Sequence, residues 1–223
     1  VLRDSVSDLG RERVNQSIET ANFELYKVMV DGLKISGLNA EGNIEDFTVR
    51  IFDFERVEEN EFLCVSQMWI AGDFYRRRPD LIIFVNGLPL LVFELKASHR
   101  KVIEAFKDNL RDYKDTIPKL FLYNIGIVLS NGIESKFGSF SSPYEFFNEW
   151  KKLNDETNAP SSELRTIVHG ILQKRRLLDI VENFVLHDTS GKSVKKVLPR
   201  YFQYFGVNRA FQNVLDREKI GGK

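Results

Sequence analysis

Apolar and polar residues alternate in short segments of the first half of the chain, a period typical of strands that bury one face. This alternation predicts strands over residues 46–54 and 64–70. A third strand is predicted over residues 22–30, which end at the turn-forming pair Asp31-Gly32. Residues 9–16 carry charges of both signs and are a candidate helix. We therefore expect the first half to be mostly sheet.

Two later segments, residues 80–85 and 90–96, are almost entirely apolar. They flank Asn86-Gly87, a pair that readily takes the positive φ of a tight hairpin turn. Strands this apolar belong to a sheet that is covered on both faces. Residues 102–113 place apolar side chains along one helical face, so they are predicted to supply one of the covering helices.

The chain changes character after a further buried strand, predicted over residues 124–132. We expect a helix over 144–151 and then a polar linker over 154–162. Three further helices are predicted: one that begins at Ser162, one over 176–185 and one over 201–216. A basic loop over 191–196 joins the last two. The predicted fold class is α/β. Residues 1–153 would form a mixed β-sheet flanked by helices, and residues 154–223 a C-terminal helical appendage.

The composition has no strong bias. The 32 Lys and Arg residues balance the 32 Asp and Glu residues, so affinity for nucleic acid would have to come from local patches. Cys64 is the only cysteine, which excludes a disulfide framework and a cysteine-based zinc site. No apolar run is long enough to cross a bilayer, so we expect a cytoplasmic protein without a membrane partner. The chain does not begin with Met, and we expect it to be a fragment of something longer.

Charged residues stand where the apolar hairpin begins and ends. Asp80 precedes the first strand, and Glu94 and Lys96 share one face at the end of the second because side chains alternate along a strand. An odd number of loop residues, or a one-residue bulge at Gly87, would set Asp80 opposite Glu94. Two carboxylates suit Mg2+, and a lysine beside them can orient or deprotonate a nucleophile and stabilise a phosphoryl transition state. The spacing predicts a Mg2+-dependent phosphodiesterase site.

These residues also have a simpler interpretation. Strands often end in charged residues, and a short Glu-x-Lys motif taken alone is more typical of a solvated ion pair. Two features favour a site instead. The strand that ends in Glu94 is too apolar to be solvated, and its partner strand begins with a second carboxylate after Pro79.

The hairpin and its surroundings resemble a known family. Residues 77–90 followed by Glu94-Leu95-Lys96 are similar to the nuclease hairpin of the PD-(D/E)XK superfamily. More narrowly, they resemble the N-terminal nuclease domain of the R (restriction) subunit of type I restriction-modification enzymes. The resemblance extends over residues 22–216 and includes 113–124, 129–132 and 200–208, the last being similar to the segment by which that family enters its helicase-like motor.

The resemblance implies a restriction-endonuclease-like fold and an endonuclease that cuts unmodified double-stranded DNA. It implies that Asp80, Glu94 and the backbone carbonyl of Leu95 bind Mg2+ and that Lys96 assists hydrolysis. The implied partners are the modification and specificity subunits and a helicase-like motor that hydrolyses ATP. The sequence has no phosphate-binding loop, so we do not expect ATP to bind to this piece.

Many relatives carry Gln-x-x-x-Tyr on the helix after the hairpin, which corresponds to Asn109 and Tyr113 here. We predict that both contact DNA, although Asn109 has a shorter amide and Tyr113 could equally be an ordinary buried aromatic. Some superfamily members also place an acid on an early helix. Glu12 and Glu19 are candidates, and the alternative for both is a solvated helix face.

Three arginines, Arg76, Arg77 and Arg78, directly precede Pro79-Asp80. Guanidinium groups bind phosphate well, and three adjacent side chains cannot all face one way, so we predict that one or two of them contact DNA. The alternative is charge balance with the acidic residues 58–61.

Two rival functions remain open at this point. The first is a non-catalytic module with a nuclease fold that docks DNA or a partner subunit, although the complete Asp80, Glu94 and Lys96 set argues against it. The second is an assembly role for the appendage after Asn154, which is compatible with the nuclease. The sequence leaves open the recognised DNA sequence, the number of metal ions and membership of another family of motor-linked nucleases, since others share the hairpin.

Overall fold

The computed structural model describes residues 16–153 and 163–221. Its centre is a five-stranded mixed sheet with helices packed on it, which confirms the predicted fold class. No helix among the described residues is both long enough and apolar enough to cross a membrane. The candidate helix over 9–16 and the linker over 154–162 lie outside the described residues, apart from Gln16.

The first element, α1 (Ile18–Asp31), is a helix, so the strand predicted over residues 22–30 is wrong. The Ser17 hydroxyl accepts a hydrogen bond from the Thr20 amide at 3.2 Å and caps the helix. Valines and aromatic residues favoured a strand in the sequence, but the buried positions recur with a helical period. These positions are Ala21, Asn22, Leu25 and Met29.

A separate hairpin follows α1. Its strands are β1 (Leu33–Leu38) and β2 (Ile44–Val49), which pair antiparallel. The strand predicted over 46–54 is therefore correct only for its first residues, because residues 50–54 form irregular structure.

The central sheet begins with β3 (Phe62–Ser66), which ends earlier than the strand predicted over 64–70. A short hairpin of β4 (Ile70–Ala71) and β5 (Arg76–Arg77) follows. The remaining strands of the central sheet are β6 (Leu81–Val85), β7 (Leu88–Leu95), β8 (Gly126–Ser130) and β9 (Ser135–Gly138). Their order is β3-β6-β7-β8-β9, and only β7 and β8 are parallel.

Both faces of the sheet are buried at the central strands β6, β7 and β8, as their apolar residues predict, whereas the edge strand β3 is largely exposed. One face includes Ile82 and Val92 and packs against α2, which comprises Val102–Glu104, the π-helical Ala105–Leu110 and Arg111–Thr116. The opposite face, with Leu91 and Phe93, packs against α1 and the C-terminal part of the chain.

The helix predicted over 144–151 is wrong. Only Tyr144–Phe146 form a single 3-10 turn, and Asn148 then bridges to Phe137.

The described residues from 163 onward contain three helices and a small hairpin. The remaining elements are α3 (Leu164–Ile171), α4 (Lys174–Asp179) with a π-helical continuation (Ile180–Phe184), β10 (Leu186–Asp188), β11 (Lys195–Val197) and α5 (Tyr201–Gly221).

The predicted basic loop over 191–196 is partly a strand, because Lys195 and Lys196 belong to β11. The Lys196 side chain is buried and its ammonium donates a hydrogen bond to the Asn124 carbonyl. Burial lowers the pKa of Lys196 well below its usual value. This lysine therefore links the β10–β11 hairpin to the segment before β8 and does not lie on the surface.

Candidate active site

The pairing of β6 with β7 sets the two carboxylates side by side. Leu81 pairs with Phe93, so the next positions in the same register are Asp80 and Glu94. The connecting turn has two residues, Asn86 and Gly87, with φ of 48° and 79°. An odd number of loop residues or a bulge at Gly87 was expected to give this alignment. Instead the loop has an even number of residues, and the extra residue is Leu90, which has no partner on β6. The extra residue restores the alignment that the site requires.

Both oxygens of the Asp80 carboxylate accept hydrogen bonds from the protein. The Leu95 amide donates to Oδ2 at 2.7 Å, and Gln67 Nε2 donates to Oδ1 at 2.9 Å. The Gln67 amide also donates to the Asp80 carbonyl at 2.9 Å. These bonds hold the carboxylate in one orientation just before the start of β6.

Sequence analysis missed Gln67. It follows the last residue of β3 and has a φ of 54°, a left-handed conformation that is uncommon for a residue with a side chain. Backbone strain of this kind concentrates at functional sites. No local motif marks Gln67, because its contact with Asp80 comes from the pairing of β3 with β6.

Glu94 is 2% exposed, and its Oε1 has no hydrogen-bond partner among the described residues. Burial raises the pKa of Glu94 to about 7. The Tyr113 hydroxyl opposes this rise, whereas the charge of Asp80 adds to it. A buried carboxylate with an unpaired oxygen beside a second carboxylate is a site that would gain from a cation.

Lys96 directly follows β7 and lies two residues after Glu94. Its ammonium donates a hydrogen bond to the Asn109 side-chain carbonyl, and the Asn109 amide interacts with the Tyr113 hydroxyl. Tyr113 in turn interacts with Glu94. Asn109 lies in the π-helical part of α2, a geometry often found at functional sites. The structure thus brings these four side chains into one polar chain.

Tyr113 is 4% exposed, and its hydroxyl interacts with Glu94. Burial raises the pKa of Tyr113, and the negative charge of Glu94 adds to the rise. Asn109 contacts Lys96 and Tyr113 interacts with Glu94, so each is placed to position its partner in the site. Contact of either residue with DNA stays a prediction.

The donor set fits Mg2+ better than a transition metal. Among the described residues, no group of three or more His, Cys, Asp or Glu side chains could hold an ion. Two carboxylates, Asp80 and Glu94, with a backbone carbonyl such as that of Leu95 would leave the remaining positions to water and phosphate oxygens. Mg2+ prefers such incomplete protein coordination.

The three arginines have different surroundings. Arg77 donates two hydrogen bonds to the carboxylate of Asp112, and Arg78 lies with its guanidinium 5.2 Å from the centre of the Trp69 ring. Arg76 and Arg78 are exposed. The proposed charge balance with residues 58–61 is not what holds Arg77, since its partner is Asp112 on α2. Arg76 and Arg78 are the two left facing solvent, and their contact with DNA stays a prediction.

Of the two candidates for an upstream acid, Glu12 lies outside the described residues. Glu19 lies on α1 with its side chain 22% exposed and 3.8 Å from the ammonium of Lys114. Glu19 thus forms a partly exposed ion pair on α1, and its role as an upstream acid of the site stays a prediction.

Comparison with known proteins shows the family of the chain. The family model described as "Type I restriction enzyme R protein N terminus" matches residues 3–146. The chain is 38% identical to the type I restriction enzyme HindI endonuclease subunit of Haemophilus influenzae, over 94% of this chain and 20% of the relative. It is 29% identical to the putative type I restriction enzyme MjaIXP endonuclease subunit of Methanocaldococcus jannaschii, over 85% of this chain and 20% of the relative.

The chain thus spans about a fifth of the length of these curated relatives. The match of the family model covers the hairpin, α2 and the whole candidate active site. The chain belongs to the family of type I restriction enzyme R protein N-terminal domains.

Proposed function

We propose that this chain is the Mg2+-dependent endonuclease domain of a type I restriction enzyme, and that Asp80, Glu94 and Lys96 carry out hydrolysis of the DNA backbone. One observation carries the proposal. Two carboxylates and a lysine meet where the apolar strands β6 and β7 begin and end, and one of the carboxylates is buried with an oxygen that has no hydrogen-bond partner among the described residues. Structural ion pairs do not need such an arrangement.

Each residue has a distinct task in this proposal. Asp80 and Glu94 would hold Mg2+, with the Leu95 carbonyl as a further ligand. Bound Mg2+ would neutralise charge on the scissile phosphate and make water a better nucleophile. Lys96, positioned by Asn109, would orient or deprotonate that water and stabilise the negative charge of the transition state. Tyr113 would limit the rise in the pKa of Glu94 and so favour the ionised form that binds Mg2+.

The wider context follows from the relatives, which are named as endonuclease subunits of type I restriction enzymes. We propose that the domain cuts unmodified double-stranded DNA after ATP-driven translocation by a helicase-like motor. ATP would bind to the motor and not to this domain. The proposed partners are the modification and specificity subunits.

The test is relaxation of a supercoiled plasmid by the chain in Mg2+ and in EDTA. Asp80→Ala and Lys96→Ala should abolish Mg2+-dependent nicking. Asp46→Ala, on β2, and Lys107→Ala change exposed residues of the same charge and should cut like the wild type. If the isolated chain is inactive, the same variants are compared in a full-length subunit assembled with its partner subunits and ATP. Cutting by Asp80→Ala and Lys96→Ala in that complex would contradict the proposal.

A further inference from the structure

Three large aromatic side chains are exposed beside the candidate active site. Trp69, Phe74 and Tyr75 are 62%, 91% and 56% exposed. Trp69 precedes β4, and Phe74 and Tyr75 lie in the connection between β4 and β5. We call residues 69–78 the aromatic hairpin. A cluster of exposed aromatic side chains marks an interaction surface more often than isolated exposed residues do.

The aromatic hairpin is held firmly against α2. Gly72 lies so close to the helix that an added Cβ would stand 1.9 Å from the Thr116 carbonyl oxygen. Its amide donates to the Tyr75 carbonyl at 2.7 Å, and Arg77 forms its two hydrogen bonds with Asp112. The exposed rings therefore stand on a fixed support and not on a loose loop.

The chain fixes the position of the aromatic hairpin relative to the carboxylates at both ends. Gln67, two residues before Trp69, donates to the Asp80 carboxylate. Arg78, the last residue of the hairpin, is followed by Pro79 and Asp80. A polymer whose backbone phosphate lies at Asp80 would pass next to this surface.

The charged residues of the aromatic hairpin indicate that this polymer is a nucleic acid. Arg76 and Arg78 are exposed within the aromatic hairpin, and Asp73 is its one exposed acid. The guanidinium of Arg78 lies over the Trp69 ring and that of Arg77 over the Tyr75 ring, at 5.2 and 5.1 Å from the ring centres. Arginines combined with exposed aromatic rings are typical of surfaces that stack nucleic acid bases and bind the phosphates between them.

We propose that the aromatic hairpin stacks unpaired bases of the DNA strand adjacent to the scissile phosphate. The inference rests on the proposed nuclease function and adds a preference for DNA that is locally unpaired at the cut. Base faces are hidden in an intact duplex, whereas a single strand or a gap offers them to Trp69 and Phe74. Stacking of this kind is tolerant of sequence, so the preference would be for unpaired DNA and not for particular bases.

Fluorescence of the wild-type chain tests the proposal directly. The chain has two tryptophans, and Trp150 is buried, so DNA that stacks on the hairpin should quench the emission of Trp69. The chain is titrated in EDTA, to prevent cutting, with a thymidine strand of about 12 nucleotides and with a duplex of the same length. We expect quenching by the single strand, at least about fivefold tighter binding than of the duplex, and no DNA-dependent quenching in Trp69→Phe.

Variants separate the two proposals. Phe74→Ala should weaken single-strand binding by at least about fivefold in an anisotropy titration, while Phe211→Ala, which removes an exposed ring from α5, should leave it unchanged. Asp80→Ala should abolish cutting and leave Trp69 quenching intact. Equal binding of single strand and duplex, or wild-type binding by Phe74→Ala, overturns the hairpin proposal while the nuclease proposal stands. If Asp80→Ala still cuts, the nuclease proposal fails instead.

Discussion

Glu94 is a carboxylate in a place that favours its neutral form. Its pKa, raised by burial to about 7, lies above the ordinary value of 4.5. A raised carboxyl pKa means that the stabilising contribution of the neutral form is complete below pH 4.5 and is lost as the pH rises through 7. The metal-free protein should therefore be less stable at pH 8 than at pH 5.5 because of this residue.

Glu94→Gln removes this ionisation and nearly preserves the shape of the side chain. In EDTA at pH 8 we expect the variant to be more stable than the wild type by on the order of 2 kcal/mol, with a smaller difference at pH 5.5. Urea unfolding at the two pH values measures the difference. Mg2+ should stabilise the wild type and not the variant. A pH dependence of stability that is the same in both proteins would show that Glu94 is not the group responsible.

Gln67 should matter for rate more than for stability. Gln67→Gly removes the hydrogen bond to Asp80 and suits the left-handed backbone, so stability should be unchanged or slightly higher. We expect plasmid cleavage at saturating Mg2+ to slow by about tenfold, the value of one hydrogen bond to a charged group. Gln67→Ala should slow cleavage as much. Wild-type rates in the glycine variant would mean that Asp80 does not need this bond.

At the scale of elements, the aromatic hairpin depends on its contact with α2. Gly72→Ala places a methyl group against the Thr116 carbonyl, which is backbone and cannot turn aside. We expect a loss of about 2 kcal/mol or more in the free energy of unfolding. Gly206→Ala is the matched control, because an added Cβ there meets no described atom within 4 Å and alanine favours helix α5. Equal stability of the two variants would contradict this packing.

Elements whose residues pair locally could be predicted from the sequence. The Asn86-Gly87 turn marks the β6–β7 hairpin, and the apolar run in β7 indicates burial on both faces. Local composition failed for α1, where residues that favour strands lie on a capped helix. It also failed after Tyr144, where aromatic side chains serve the core without forming a helix. In both places tertiary packing outweighs local preference.

The residues of the candidate active site divide in the same way. Asp80, Glu94 and Lys96 share one hairpin, so strand alternation and a motif were enough to group them. Gln67 reaches the site through strand pairing with β6, a contact that no sequence spacing announces. The pairing of Arg77 with Asp112 likewise joins two elements that are distant in the chain.

At the scale of the whole molecule, residues on both sides of the predicted boundary between 153 and 154 pack into one hydrophobic core. Leu91 and Phe93 of the sheet belong to the same buried cluster as Ile167, Ile171 and Leu177 from the C-terminal part. A chain shortened to residues 1–153 would expose this face of the sheet to water. We expect it to bind a hydrophobic dye and to lose cooperative unfolding in urea. Cooperative unfolding at the midpoint of the full chain would mean that the two parts fold independently.

DNA cutting by the residues of the β6–β7 hairpin is the central proposal for this molecule. The most direct measurement compares DNA cleavage and ATP hydrolysis by a full-length subunit in the assembled enzyme, with wild type, Asp80→Ala and Lys96→Ala. We predict that both variants lose cleavage in Mg2+ and keep ATP hydrolysis, because the altered residues lie in the nuclease site and not in the motor. Cleavage at the wild-type rate by either variant would contradict the assignment.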